Sequence, residues 1–296
     1  MRLQGIKHLV TYSSIAVIAF AVALLPPLHA EATIVDLSTT SPNCDPTAGG
    51  GCSGVINTAI FRNQAVRPAG TGVFESFVRV QAPGNNTTEQ GYNTDGRLSS
   101  PVRGPYDELT DPNFTRSLLL SAVPIVTVGG IAYRQFELDI NQVIGNTGST
   151  TQFLSLDRLK IFLSPSDGST TPNAVTASLP TNTDFLLGLA PGTTQVYDLD
   201  SIGVDNWVKL NAQFTSGSGQ SDMAALIPNA LFTGTGPFVT LYSRFGENFA
   251  TNDGFEEWRV FSPVSPVPEP TSLLLLGSGL TGLGLWRRAR RKGTEV

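Results

Sequence analysis

Val126-Thr-Val-Gly-Gly-Ile-Ala-Tyr133 is the stretch that indicates the fold most directly. Two short apolar runs flank the glycine pair Gly129 and Gly130. Both central positions of a two-residue hairpin turn require a positive φ, which glycine adopts without strain. The stretch therefore predicts two antiparallel strands joined by a tight hairpin.

Short alternating apolar segments continue from residue 73 onward, separated by clusters of Gly, Pro, Asn, Asp, Ser and Thr. No helical period extends beyond a turn or two, which is typical of an all-β protein. We predict one antiparallel β-sandwich over residues 31–262, around which the turn-rich segment 31–69 wraps loosely. The candidate strands are 73–80, 118–128, 131–140, 156–163, 195–199, 207–210, 238–245 and 257–261.

The chain has 296 residues, of which 40% are apolar, enough to bury a core. Its net charge of -5 is unevenly distributed. The stretch from Glu31 to Pro270 holds 23 Asp plus Glu against 12 Lys plus Arg, a net charge of -11. A body this acidic repels phosphate backbones, so we expect no nucleic-acid partner.

Both histidines of the chain, His8 and His29, lie near its N-terminus. Histidine is the usual general base for serine and cysteine nucleophiles and the commonest zinc ligand. A body without histidine therefore argues against these hydrolases and against a zinc site. We expect no cofactor and no enzymatic activity.

Residues 1–30 have the three parts of a secretory signal peptide. Arg2 and Lys7 precede a long uncharged apolar run, and small residues follow it. Cleavage after Ala30 or Ala32 satisfies the small-residue requirement. The alternative is an uncleaved anchor, because the apolar run approaches the length of a membrane span.

The C-terminal tail, residues 263–296, also has three parts. Pro268-Glu-Pro270 is followed by an uncharged apolar run over residues 271–286 and by a basic cluster over residues 287–292. Basic clusters stay cytoplasmic, and the charges near the N-terminus orient the leader in the same way, so the body is predicted to lie outside. The apolar run predicts a short transmembrane helix that holds the chain transiently. Its glycines are alternatively a helix-packing face.

This order of Pro268, Glu269 and Pro270, an apolar helix and an Arg-rich end resembles the PEP-CTERM sorting signal of Gram-negative bacteria. The resemblance implies recognition of the three residues by an exosortase, a membrane cysteine protease that cuts near the motif. The chain would then be its substrate, exported, held in the inner membrane in transit, and finally placed at the cell surface or outside the cell.

Two cysteines, Cys44 and Cys52, are separated by turn-forming residues. In an exported protein, an even pair this close predicts a disulfide. Two free thiols are the alternative. A loop this short would stabilise the fold by about 2 to 3 kcal/mol on the chain-entropy model.

Paired carboxylates are the remaining route to hydrolysis, and Asp253, Glu256 and Glu257 are the candidates for a glycosidase. Adjacent strand residues point to opposite faces, so Glu256 and Glu257 do not aim at one glycosidic bond. We interpret this segment as a polar turn leading into an edge strand, with Trp258 facing inward.

A Ser-Lys dyad would require Lys160 or Lys209 to lie buried beside a nucleophile. Each lysine falls in an alternating strand pattern, which predicts a solvated side chain instead.

Calcium is the metal that the sequence best supports, because an acidic exported β-protein offers oxygen ligands on loops. The candidate ligands are Asn93, Asp95, Asp222, Asn252 and Asp253. Asn and Asp also favour turns through their own side-chain hydrogen bonds, and no EF-hand loop is complete. We therefore assign no metal site.

The function that these observations favour is a non-enzymatic surface or matrix protein associated with exopolysaccharide or biofilm. The alternative is a carbohydrate- or ice-binding module, and a secreted glycosidase is the third possibility. An ice-binding face requires a regular threonine ladder, whereas the threonines here cluster in loops without a fixed period, at Thr147, Thr150, Thr151, Thr170 and Thr171.

Overall fold

The structure is a computed structural model, and the part of the chain that it describes forms two β-sheets. The described residues are 31–39, 51–63, 75–82, 84, 86–95, 106–109, 111–146, 149–167, 192–200, 204–214, 220–252, 254–260 and 280–281. Within these ranges, regular structure consists of strands, short 3-10 turns and a helical assignment at Leu280 and Thr281. The predicted all-β class of the body is therefore confirmed.

The first sheet, sheet A, has seven strands, and so has the second, sheet B. The strands of sheet A are β1 (Ile34–Asp36), β5 (Glu89–Tyr92), β6 (Leu118–Leu119), β9 (Phe153–Ser164), β10 (Thr194–Asp198), β11 (Trp207–Asn211) and β13 (Phe238–Phe245). The strands of sheet B are β2 (Ser53–Ile56), β3 (Ala59–Asn63), β4 (Ser76–Val80), β7 (Ile125–Val128), β8 (Ile131–Asp139), β12 (Met223–Pro228) and β14 (Glu256–Arg259).

Sheet A runs in the order β1-β11-β9-β13-β5, with β10 paired to β9 and β6 paired to β13. Sheet B runs in the order β2-β3-β12-β8-β14-β4, with β7 paired to β8. The described pairings are antiparallel except that of β1 with β11, which is parallel. The predicted antiparallel pairing is therefore correct within both sheets, except that the pairing of β1 with β11 is parallel.

The largest apolar cluster of the described residues lies between the sheets. One continuous cluster of buried side chains joins Leu156 and Ile161 of β9 to Phe61 of β3, Phe136 of β8 and Trp258 of β14. Trp258 is fully buried, as its inward orientation predicts, and its indole N–H donates to Ser243 Oγ at 3.1 Å. Burial of apolar surface at about 25 cal/mol per Å² is the dominant stabilising effect in such a core.

In the long strand β9, the inward-facing side chains change from even-numbered to odd-numbered positions. Leu154 and Leu156 face the core in its first half, and Leu159 and Ile161 do so in its second half. The register with β13 shifts between these halves, as at a β-bulge. The bulge explains why a segment of twelve residues keeps one apolar face without strict alternation.

The hairpin predicted around Gly129 and Gly130 is confirmed. Their φ angles are 57° and 84°, and Val128 pairs with Ile131 across the turn. The predicted strand 118–128 is wrong as a single element. It divides into β6, a 3-10 turn at Leu120–Ala122 and β7, because β6 joins sheet A and β7 joins sheet B.

The segment 31–69 does not wrap the sandwich loosely. Its described part contributes β1 to sheet A and β2 and β3 to sheet B. Gly54 of β2 lies so near β1 that an added Cβ would be 2.5 Å from Val35 Cγ2. These strands could not be predicted from the sequence, because turn-forming residues surround their short apolar runs.

Candidate functional site

Four side chains on the outer face of sheet A form a cluster that we call the aromatic patch. They are Phe153 of β9, Trp207 and Lys209 of β11, and Phe249 of the loop that follows β13. The alternation of β9 and β11 turns Phe153, Trp207 and Lys209 away from the core, and Phe249 packs against them from its loop. All four are half-buried.

The ammonium group of Lys209 lies over two rings of the aromatic patch. Its Nζ is 4.4 Å from the ring centre of Phe153 and 4.5 Å from that of Phe249. Phe249 is in turn 5.9 Å from Phe153 and 5.8 Å from Trp207, measured between ring centres. Cation–π contacts of this kind are worth about 0.5 to 2 kcal/mol each, so the patch has a defined shape.

Asp157 fixes the loop that carries Phe249. Its carboxylate accepts hydrogen bonds from Glu247 N at 2.7 Å and Asn248 Nδ2 at 2.8 Å. Burial raises the pKa of Asp157, and these hydrogen bonds oppose the rise because they favour the charged form. Ser155 Oγ, which donates to Asp157, accepts a hydrogen bond from Phe249 N at 2.9 Å.

Arg158 is held by three carboxylates next to the same loop. Its Nη1 is 3.0 Å from Asp200 Oδ2 and also contacts Asp205, and its Nη2 is 3.6 Å from Glu247 Oε2. Burial raises the pKa of Asp200 to about 6, although the charge of Arg158 opposes the rise. The guanidinium is therefore neutralised within the fold.

A second cluster lies between the sheets, where Glu89 of β5 meets Glu256 of β14. We call these two side chains the buried carboxyl pair; they are 1% and 0% exposed and hydrogen-bond to each other. Gln142 Nε2 donates to Glu256 Oε1 at 2.6 Å, and Thr251 Oγ1 donates to Glu89 Oε1 at 3.2 Å. Two carboxyl groups in hydrogen-bond contact must hold a proton between them.

Burial raises the pKa of both members of the buried carboxyl pair. For Glu256, the charge of Glu89 adds to the effect of burial and holds the pKa well above its ordinary value. For Glu89, the hydrogen bond with Glu256 and those from Ala82 N and Thr251 oppose burial. Glu89 and Gln142 could not be predicted as site residues from the sequence, because neither belongs to a motif and β5 carries the polar sequence Glu-Gln-Gly-Tyr.

The carboxylates predicted for a glycosidase do not come together. Glu256 faces the interior and Glu257 faces the opposite side of β14, where Arg79 contacts it at 2.6 Å. Asp253 lies outside the described residues. The predicted edge position of this strand is wrong, because β14 lies between β8 and β4, and both glutamates are buried rather than part of a polar turn.

The two lysines are not solvated as predicted. The side chain of Lys160 is 16% exposed and its Nζ is 3.2 Å from Asp198 Oδ2. Lys209 belongs to the aromatic patch, with its Nζ 4.0 Å from Asp36 Oδ2. Neighbouring rings and carboxylates on the outer face of sheet A account for this burial.

The candidate calcium ligands are dispersed rather than convergent. Asn93 bridges to β13 through Leu241 N, Asp95 accepts from Ser117 N, and Asp222 accepts from Ile140 N. Asn252 accepts from Val143 N. Across the described ranges, no group of three or more His, Cys, Asp or Glu side chains is arranged to hold a metal ion.

The threonines give no ladder on a sheet face in the described ranges. Thr151 Oγ1 accepts from Gly145 N at 2.9 Å and contacts Ser149 Oγ, so it serves a local turn. Thr150 lies in the same loop. Thr147, Thr170 and Thr171 are outside the described residues.

Several predicted features lie outside the described residues. They are the signal peptide 1–30, Cys44, the sorting residues Pro268, Glu269 and Pro270, and all of the tail 263–296 apart from Leu280 and Thr281. Cys52, directly before β2, is half-buried, and its backbone N–H donates to Asn63 Oδ1 at 2.6 Å. The disulfide between Cys44 and Cys52 stays a prediction.

No helix within the described part of the chain is both long enough and apolar enough to span a membrane.

Comparison with known proteins identifies the C-terminal tail. The family model of the PEP-CTERM protein-sorting motif matches residues 266–291, which include Pro268, Glu269 and Pro270, the apolar run and most of the basic cluster. The predicted sorting signal is therefore confirmed, and the chain carries the motif of an exosortase substrate. No curated protein and no solved structure matches the chain.

Proposed function

We propose that this chain is an exported surface or extracellular-matrix protein, released or transferred by an exosortase, whose β-sandwich associates with exopolysaccharide and catalyses no reaction. The observation that carries the proposal is the sorting motif at residues 266–291. A motif of this kind implies export, transit through the inner membrane and a final place at the cell surface or beyond it.

The aromatic patch supports polysaccharide as the partner. Half-buried rings with a polar rim suit sugars, because the faces of a sugar ring are apolar while its hydroxyl groups seek hydrogen bonds. In this patch, Trp207 supplies the largest ring, and Lys209 and Asp36 supply a donor and acceptors at its edge. The net charge of -11 between Glu31 and Pro270 favours a neutral polymer over an anionic one.

The placement of the glutamates supports a role without catalysis. Glycosidases need two carboxyl groups about 5 to 10 Å apart on either side of a sugar. Glu256 and Glu257 lie on opposite faces of β14, and the buried carboxyl pair is in direct contact inside the sandwich. Neither arrangement leaves room for a glycosidic bond.

The alternative is a module that binds one defined carbohydrate rather than a matrix polymer, and the aromatic patch favours it over ice binding. Stacking on a tryptophan serves either partner. The two differ in what they bind, since a module recognises a short oligosaccharide with a fixed sequence, whereas a matrix protein binds the polymer of its own culture.

The full-length chain in mild detergent, run on native gels that contain exopolysaccharide from the producing culture, tests the proposal. We expect the polymer to retard the wild-type protein and Trp207→Ala to abolish the retardation, with circular dichroism verifying the fold. Phe232→Ala is the matched control, because Phe232 is a half-buried aromatic near Arg134 on the other sheet. Equal retardation of wild type and Trp207→Ala would show that the aromatic patch is not the binding site. Absence of retardation of the wild type would show that the chain does not bind this polysaccharide.

A further inference from the structure

The buried carboxyl pair joins three separate parts of the fold. Glu89 comes from sheet A and Glu256 from sheet B, and Gln142 approaches from the segment after β8. Thr251, in the loop after β13, closes the cluster by donating to Glu89 and by a backbone hydrogen bond to Thr87 O at 3.0 Å. The cluster therefore lies where both sheets and two connecting segments meet.

Glu256 also receives a hydrogen bond from the backbone of Asn141, yet two acceptor oxygens of the cluster are left over. Oε2 of Glu256 and Oε1 of Gln142 are buried. With both carboxyl groups ionised, neither oxygen has a hydrogen-bond partner. Glu256 is fully buried, and Gln142 is only 5% exposed. Buried polar atoms are almost always satisfied, so two unsatisfied oxygens on touching side chains point to a bound group that the protein itself does not supply.

No basic side chain supplies that charge in the described part of the chain. Neither Glu89 nor Glu256 takes part in an ion pair with Lys or Arg there, and the carboxylate of Asp107 adds a further negative charge that raises the pKa of Glu89. Two buried negative charges without a partner are strongly disfavoured. One shared proton neutralises half of this charge, and one divalent cation neutralises all of it.

We propose that Glu89, Glu256 and Gln142 form a buried divalent-cation site that binds Ca²⁺ between the two sheets. Two carboxylates supply up to four oxygens, and the amide oxygen of Gln142 and the hydroxyl of Thr251 supply two more. Calcium accepts such an irregular set of six to eight oxygens, whereas magnesium requires near-ideal octahedral geometry and retains water. The outside of a cell, to which the sorting motif directs the chain, is also where millimolar calcium sites operate.

The site differs from the calcium ligands that the sequence suggested. Those residues lie in loops, whereas Glu89 and Glu256 begin strands of opposite sheets. An ion bound here links sheet A to sheet B and fixes the segments of Gln142 and Thr251. Binding of Ca²⁺ should therefore stabilise the whole sandwich and not one loop.

Isothermal titration calorimetry of the full-length chain with CaCl₂ at pH 7.5 tests the proposal. We expect one ion per chain with a dissociation constant of about 0.1 to 1 mM, as in extracellular modules. At 10 mM CaCl₂, the midpoint of thermal unfolding should rise by about 5 °C.

Glu256→Gln preserves the size of the side chain and removes its charge, so it should abolish both the heat of binding and the thermal shift. Glu75→Gln is the matched control, because Glu75 is exposed, and it should bind calcium as the wild type does. Wild-type protein that shows no saturable binding would overturn the proposal. A folded Glu256→Gln variant with wild-type affinity would do the same.

Discussion

Glu256 is a carboxyl group that the fold keeps from ionising, and this has a consequence for stability. Its pKa in the folded protein is raised well above the ordinary value of 4.5 by burial and by the charge of Glu89. The pKa of Glu89 is raised in the same direction. The native state therefore holds protons that the unfolded chain releases once the pH exceeds about 4.5.

We predict that, without divalent cations, the free energy of unfolding falls as the pH rises above about 4.5. Between pH 4.5 and the raised pKa values of the folded protein, the native state binds more protons than the unfolded state. Each such proton lowers the free energy of unfolding by about 1.4 kcal/mol per pH unit in this range. Glu256→Gln removes part of this loss, so its stability should decline less between pH 5 and pH 8. Urea unfolding in EDTA at a series of pH values measures the difference.

Glu75→Gln is again the control and should follow the wild-type curve in this pH series. Parallel curves for Glu256→Gln and the wild type would show that Glu256 does not hold a proton in the native state. Asp157 and Asp200 also have raised pKa values, so a residual slope is expected in the variant. The comparison therefore depends on the difference between the two curves and not on the slope of either.

Sequence reasoning could place some of these side chains and not others. Strand alternation is a local property, so it predicted that Glu256 and Glu257 face opposite sides and that Trp258 faces inward. The contact between Glu89 and Glu256 depends on how two sheets stack, and these residues are far apart in the chain. No local pattern encodes such a contact, which is why the buried carboxyl pair emerged only from the structure.

At the scale of elements, two hairpins of sheet B show when a turn can be predicted from its own residues and when it cannot. Gly129 and Gly130 predict the turn between β7 and β8, because both have a positive φ. The turn between β2 and β3 uses Asn57 and Thr58 instead, with φ angles of 47° and 70°. A β-branched residue rarely adopts a positive φ, so this hairpin could not be predicted from its turn residues.

The second hairpin is held by contacts from outside its own turn. Asn57 Nδ2 donates to Asp198 O at 3.0 Å and to Leu199 O at 2.9 Å, both at the end of β10 in the other sheet. Tyr197 Oη donates to Ile56 O at 3.0 Å just before the turn. Tertiary hydrogen bonds thus impose a conformation that the local sequence disfavours.

We predict that Thr58→Gly stabilises the protein by about 0.5 to 1 kcal/mol. The left-handed conformation costs a residue with a side chain about 1 to 2 kcal/mol, and part of that gain is lost because glycine increases the entropy of the unfolded chain. Thr58 is exposed, so no packing is lost with its side chain. Chemical denaturation followed by tryptophan fluorescence measures the change.

Thr127→Gly is the matched control for this prediction. Thr127 is also exposed, but it lies within strand β7, where glycine weakens the strand. This variant should lose about 0.5 to 1 kcal/mol. If both substitutions destabilised the protein equally, the positive φ of Thr58 would carry no strain.

At the scale of the whole molecule, the chain combines a folded body with the sorting motif of its C-terminal tail. The body places its aromatic patch on the outer face of sheet A and its buried carboxyl pair between the sheets. The sorting motif at residues 266–291 follows β14, the last strand within the described residues. The signal was readable from sequence because it is linear, whereas both clusters of the body depend on the fold.

A substitution at Glu269, which lies between Pro268 and Pro270, tests whether the tail directs sorting independently of the fold of the body. Proline fixes its own φ, lacks a backbone donor and keeps the preceding residue extended. An extended segment with one charge suits recognition in a protease groove. We predict that Glu269→Ala folds and is exported normally but accumulates in the inner membrane with its basic cluster attached, at a larger size than the surface form of the wild type.

Fractionation of the producing cells, with an antibody against the body and mass measurement of the recovered chain, measures this outcome. Glu295→Ala is the matched control, because it removes a carboxylate of the same tail outside residues 266–291 and should be sorted as the wild type is. Unchanged circular dichroism of the accumulated Glu269→Ala protein would place the defect in processing rather than in folding. Arrival of this variant at the surface with wild-type size and yield would mean that the charge between the two prolines is not what the sorting enzyme recognises.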